Sequence, residues 1–108
     1  NAGSAYITYN PTNSQVTIYV TLTNPGPATP VITSVSVNGI PVNVNQVGNN
    51  GNTYNYLNQV TISTGQNYLT IVGTLATTLN VQSGATVTIQ IAFSNSQTVT
   101  VPATLNVA

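Results

Sequence analysis

Apolar side chains recur at every second position through much of this chain. Val16, Ile18, Val20 and Leu22 alternate with Thr17, Tyr19, Thr21 and Thr23, and the run ends at "NPGPATP". Val87, Ile89, Ile91 and Phe93 alternate with Thr86, Thr88, Gln90 and Ala92; after "SNSQ", Val99, Val101, Ala103, Leu105 and Val107 carry the pattern to the C-terminus. A period of two is the spacing of a strand with one face in a core and the other in water. Shorter runs repeat it: Leu69 and Ile71 with Tyr68 and Thr70, Ala5, Ile7 and Tyr9 with Tyr6 and Thr8, and residues 56–62 around Val60 and Ile62. No stretch has helical apolar spacing behind a helix cap.

The sharpest local signal is "VSVNGIPV" at residues 35–42. Asn38 and Gly39 both tolerate positive φ, as a two-residue type I′ hairpin turn requires. In that register Val37 faces Ile40, Val35 faces Val42 and Thr33 faces Val44 on one side, leaving Ser34, Ser36, Pro41 and Asn43 on the other. Seven to eight strands with near-regular turn signals predict an all-β fold, an immunoglobulin-like antiparallel β-sandwich. A length of 108 residues supports one domain, 1–108, and the short "GNNGN" at 48–52 reads as a loop rather than a linker.

Composition narrows what such a domain can do. There is no Lys, Arg, Asp, Glu, His or Cys in the chain, and 41% of it is hydrophobic. Acid–base catalysis needs a group that titrates near the working pH, and only the chain termini and six Tyr ionise at all. The expectation is that the protein is not an enzyme. Without thiolate, imidazole or carboxylate ligands no metal is expected, and no cofactor. Without Lys or Arg to neutralise phosphates, no nucleic-acid partner is expected. No apolar run reaches the roughly 18 residues of a membrane-spanning helix, and there is no secretory n-region or h-region.

A chain that binds the same number of protons folded and unfolded has a stability independent of pH, and this one approaches that limit from acid to about pH 9. The pattern suits an exterior built to withstand acid. Zero net charge also favours association, which a polymerising protein tolerates. With 16 Asn and 27 Ser or Thr, about four N-x-S/T matches are expected by chance. The single match, Asn10-Pro11-Thr12, is blocked by its proline, so N-glycosylation is not expected.

Two stretches are candidates for contact with partners. The loop "GNNGNTYNYLN" offers Tyr54 and Tyr56 to stack on a sugar face and Asn52, Asn55 and Asn58 to bind hydroxyls, as in a lectin-like carbohydrate-binding module. In residues 1–12, Ala5, Ile7 and Tyr9 have the alternation of a strand donated to a neighbour's groove, and equally that of the domain's own first strand. The short turn at "NPTNSQ" favours the latter.

The run "VTIYVTLTNPGPATPVITSVSVNGIPV", with "ATVTIQIAFSNSQTVTVPATLNV" near the end, resembles the outer domain of archaeal type IV-like pilins and archaellins. The matching residues are Asn24, Gly26, Pro30, Val31, Ser34, Val35, Val37, Asn38, Gly39, Phe93, Ser94 and Asn95, and the resemblance covers most of the chain. It implies an extracellular filament subunit, from a thermoacidophilic archaeon, that polymerises with itself and serves adhesion to surfaces or to other cells. Type IV-like pilins polymerise through an N-terminal hydrophobic helix, whereas "NAGSAYITYNP" is strand-like. Either a helix precedes Asn1, or the filament is held by a donated strand, as in archaeal threads. A viral or surface-layer shell component shares the same acid-proof composition and is the third reading.

Overall fold

The structure, a computed structural model, describes residues 2–107, with the side chains of Ala2 and Ser4 outside the description. Eight strands follow in order: β1 (Ala2–Asn10), β2 (Gln15–Asn24), β3 (Ile32–Val37), β4 (Ile40–Asn49), β5 (Asn52–Tyr54), β6 (Gly65–Leu75), β7 (Thr86–Phe93) and β8 (Thr98–Val107). The one helical element among the described residues is a 3-10 turn at Leu57–Gln59. The all-β expectation holds. In β7 the residues alternate strictly between solvent and core from Thr86 to Ile91, and β2 does the same between Val16 and Leu22.

The strands close into a ring in the order β3-β7-β8-β1-β2-β6-β4, with β4 returning to β3, and β5 is appended to the outer side of β4. The closed, seven-stranded mixed barrel differs from the antiparallel sandwich that the pattern predicts. Two short seams make the difference. β1 lies parallel to β8 from Tyr6↔Thr104 to Tyr9↔Val107, and β3 meets β4 only at Ser36↔Pro41 and Val37↔Ile40. Sandwich and barrel bury the same alternate residues, so periodicity does not separate them; closure does, by pairing edges that an open sheet leaves bare.

The hairpin at residues 35–42 forms with Asn38 at φ 49° and Gly39 at φ 80°, both positive as a type I′ turn demands. The Val37–Ile40 pair forms, but the expected Val35–Val42 and Thr33–Val44 pairs do not. Val35 pairs with Ile91 of β7, while Val42 and Val44 pair with Leu75 and Gly73 of β6. The two arms splay directly after the turn, because each is drawn into a longer ladder on its own side of the barrel. Asn38 assists with both backbone and side chain: its backbone N–H donates to the Thr88 carbonyl and its side-chain Oδ1 accepts the Thr88 N–H, both at 2.8 Å, extending the β3–β7 ladder by one step.

Asn50-Gly51 repeats the device, with φ 51° and 88°. What "GNNGN" suggests as a loop is therefore a second tight hairpin, joining β4 to β5. Residues 56–62 do not form the expected strand. They hold the 3-10 turn and an isolated bridge from Thr61 to Val31, although Val60 and Ile62 still enter the core.

One contiguous core fills the ring. Ile7, Ile18, Ile32, Ile71, Ile89, Ile91 and Leu105 are wholly buried in it, and burying each stabilises the fold by roughly 1.5–3 kcal/mol. Tyr9 is 1% exposed, and its hydroxyl accepts the Leu79 N–H at 3.3 Å, which satisfies two buried polar groups at once. The residues of the pilin-like pattern serve mainly turns and core: Asn24 Nδ2 donates to the carbonyls of Ala28 and Ile62, and Ser94 Oγ accepts the Val31 N–H.

Candidate functional site

The outer face of β1, β2 and β6 carries tyrosines at positions where the alternation calls for polar side chains. Tyr6 of β1 sits directly opposite Tyr19 of β2, and the rings stack with centroids 4.6 Å apart and 20° between planes. Tyr19 faces Thr70 of β6, and Thr21 faces Tyr68, so Tyr68 stands diagonally across from Tyr19. Tyr6, Tyr19 and Tyr68 are 49%, 37% and 61% exposed. Among the described residues, the only other large apolar side chain left so open is Tyr56.

Between these rings lies a cleft of about 290 Å³, with Tyr6, Tyr19 and Tyr68 around it and Ala5, Val20, Thr21, Leu69 and Thr70 lining the rest. A second cleft of about 270 Å³ adjoins it, lined by Gln46, Gly48, Gly51, Asn52, Thr53 and Val72, with Tyr68 and Thr70 shared between the two. Tyr68 is held by the second Asn-Gly turn. Asn50 Oδ1 accepts the Tyr68 N–H at 2.9 Å, the Asn50 N–H donates to the Tyr68 carbonyl, and Asn50 Nδ2 donates to the Gln66 carbonyl.

Comparison with known families and with curated proteins finds no match to this chain.

The residues singled out in the sequence are dispersed by the fold. Of the loop candidates, Asn52 lines the second cleft, whereas Tyr54 packs half-buried against the core. Asn55, Tyr56 and Asn58 are exposed around the 3-10 turn, where the Tyr56 N–H donates to Gln59 Oε1 and neither cleft is reached. Of the candidate assembly strand, Ile7 and Tyr9 point into their own barrel and Ala5 packs partly against the core, with β1 held between β2 and β8. Asn38 and Gly39 do the turn work assigned to them.

Sequence reading passed over Tyr6, Tyr19 and Tyr68 because they lie on three strands and come together only through pairing. A signal was present nonetheless: each occupies an outward position in its strand, where the alternation calls for a polar side chain, and in β2 most of the other outward positions are Thr. Next to the site, Asn49 and Asn67 are buried together, with Asn49 Nδ2 donating to Asn67 Oδ1 at 3.2 Å and Asn67 Oδ1 also accepting from Ser63. The pair ties the 60–65 segment to β4 and β6. Among the described residues no group of His, Cys, Asp or Glu exists to hold a metal, so what the surface offers is aromatic faces, hydroxyls and amides.

Proposed function

We propose that this chain is a structural subunit of an extracellular filament of pilus type, polymerising with itself and serving adhesion in an acidic, hot environment. One observation carries the reading: a closed barrel presents to solvent an exterior without a single charged side chain. Such an exterior has no carboxylate to protonate in acid, and it has no like charges to keep copies apart. The resemblance of "NPGPATPVITSVSVNG" and "FSN" to archaeal pilins supports the same conclusion.

The ring also has a two-layer reading. Strands β1, β2, β6 and β4 stand in the neighbour order of one sheet of a constant-type immunoglobulin sandwich, and β3, β7 and β8 in that of the other. On this reading the parallel β1–β8 seam and the brief β3–β4 seam bridge a flattened sandwich. Because β1 completes its own barrel, the subunits join as whole barrels, laterally or head to tail, through neutral hydrogen bonds and apolar area. Extents of 40 × 25 × 24 Å suit stacking along the long axis.

Electron microscopy of native material tests the proposal. Fibres built from this chain are expected, with an assembly yield that changes little as salt is raised, since there are no charge pairs to screen. Closed shells, flat lattices or dispersed monomers would contradict it.

A further inference from the structure

We infer that the outer face of β1, β2, β6, β4 and β5 is a binding site for a neutral oligosaccharide lying across the strands. The register sets out the site. Tyr6↔Tyr19, Tyr19↔Thr70, Thr70↔Gly48 and Gly48↔Thr53 form one continuous row over five strands. At the usual spacing of strands that row spans about 19 Å. It holds an aromatic stack at one end, hydroxyls along it, and a glycine where a side chain would otherwise block the groove. Tyr68 rises one step to the side, between the two clefts.

The chemistry of the lining selects the ligand. Stacking of Tyr6 on Tyr19 stabilises the sheet as any cross-strand aromatic pair does, but that does not account for Tyr68, which is the most exposed of the three and pairs across the strand with Thr21. Tyrosine offers an apolar ring with a polar rim, which matches a ligand whose C–H faces and hydroxyl edges alternate. Thr21, Thr53 and Thr70 supply hydroxyls and Gln46 and Asn52 amides, able to donate and accept, and nothing charged favours an anionic or cationic ligand. The clefts adjoin, and each approaches the lower end of small-molecule sites, about 300–1,000 Å³. Tyrosine is also favoured at protein interfaces, so a second copy of this chain is the competing occupant, and the experiment below separates the two.

Gly48 gives the site a clean test. A Cβ built there meets nothing closer than 3.7 Å, and its backbone lies outside the left-handed region, so a larger side chain fills the groove without straining the strand. The experiment titrates the full chain with cellohexaose, maltohexaose, mannohexaose and N-acetylchitohexaose up to about 10 mM, reading tyrosine ring resonances by NMR. At least one sugar is expected to saturate, moving Tyr6, Tyr19 and Tyr68 and leaving Tyr9 and Tyr56 in place. Tyr19→Ala, Tyr68→Ala and Gly48→Val should each weaken that binding by about tenfold or more while the variants stay folded, with Tyr56→Ala unchanged. Silence across the panel overturns the inference, as does binding that survives Tyr19→Ala and Tyr68→Ala. So does movement of the three rings with protein concentration alone, which would place a second copy in the groove. The titration uses monomer, so its outcome is independent of whether the chain forms filaments.

Discussion

Tyr9 and Tyr6 stand three residues apart on β1, and the alternation of the strand sends them to opposite faces. Tyr9 is enclosed, with its hydroxyl spent on the Leu79 N–H; Tyr6 stacks on Tyr19 and leaves half its surface in water. The same side chain is thus a core residue in one place and part of a contact surface in the other. What differs is the company: the inner face gathers aliphatic neighbours from every strand of the ring, whereas the outer one gathers threonine, amides and two more tyrosines. A tyrosine therefore has no role by type here. Its role is set by parity along the strand and by which strands pair beside it.

The largest expected effect follows from removing the inner ring. Tyr9→Ala leaves a cavity in a closed core and should cost about 3–5 kcal/mol by urea unfolding. A loss below 1 kcal/mol would mean that Tyr9 is not enclosed. Next comes the turn that starts the splayed β3 and β4 arms. Gly39→Val puts a β-branched residue at φ 80°, and since nothing lies within 4 Å of its Cβ, the cost is backbone strain alone, roughly 1–3 kcal/mol. Unchanged stability would contradict the type I′ turn.

Tyr9→Phe sharpens the contrast further, because it keeps the ring and removes the acceptor of the Leu79 N–H. A loss of about 1–2 kcal/mol is expected from the buried donor left unpaired. Tyr6→Ala should cost about 1 kcal/mol or less, since it removes only a surface stack. If Tyr6→Ala proves as costly as Tyr9→Ala, the two faces have been assigned wrongly. The smallest expected effect is that of pH: with no side chain that titrates between about pH 2 and 8, proton uptake is alike in folded and unfolded chains, and Tm should stay level across that window. A steep fall in acid would break this expectation.

Much of the fold was legible in the pattern. The period of two located the long strands, and Asn38-Gly39 located the turn between β3 and β4, because both signals are local. Ring closure was not legible: the β1–β8 seam joins segments whose alternation is equally compatible with open sheets, and the predicted β3–β4 hairpin gave no sign that its two arms enter different ladders. The same limit hid the second Asn-Gly hairpin's consequence, that Asn50 braces Tyr68 from eighteen residues away. For the same reason Tyr54 and Tyr56, two residues apart in one loop, are more conspicuous in the sequence than Tyr6, Tyr19 and Tyr68, which become neighbours only after pairing. In a chain without charged or metal-binding residues, nothing stronger than an aromatic at a polar position announces a surface site.

Hydroxyl-radical footprinting of the folded monomer, read at single tyrosines, tests the account most directly, for it measures both faces of β1 in one experiment. Protection of Tyr9 is expected, together with ready oxidation of Tyr6, Tyr19, Tyr56 and Tyr68. Oxidation of Tyr9 at the rate of Tyr6, or protection of Tyr68 and Tyr19 in the monomer, would contradict the barrel and its aromatic outer face.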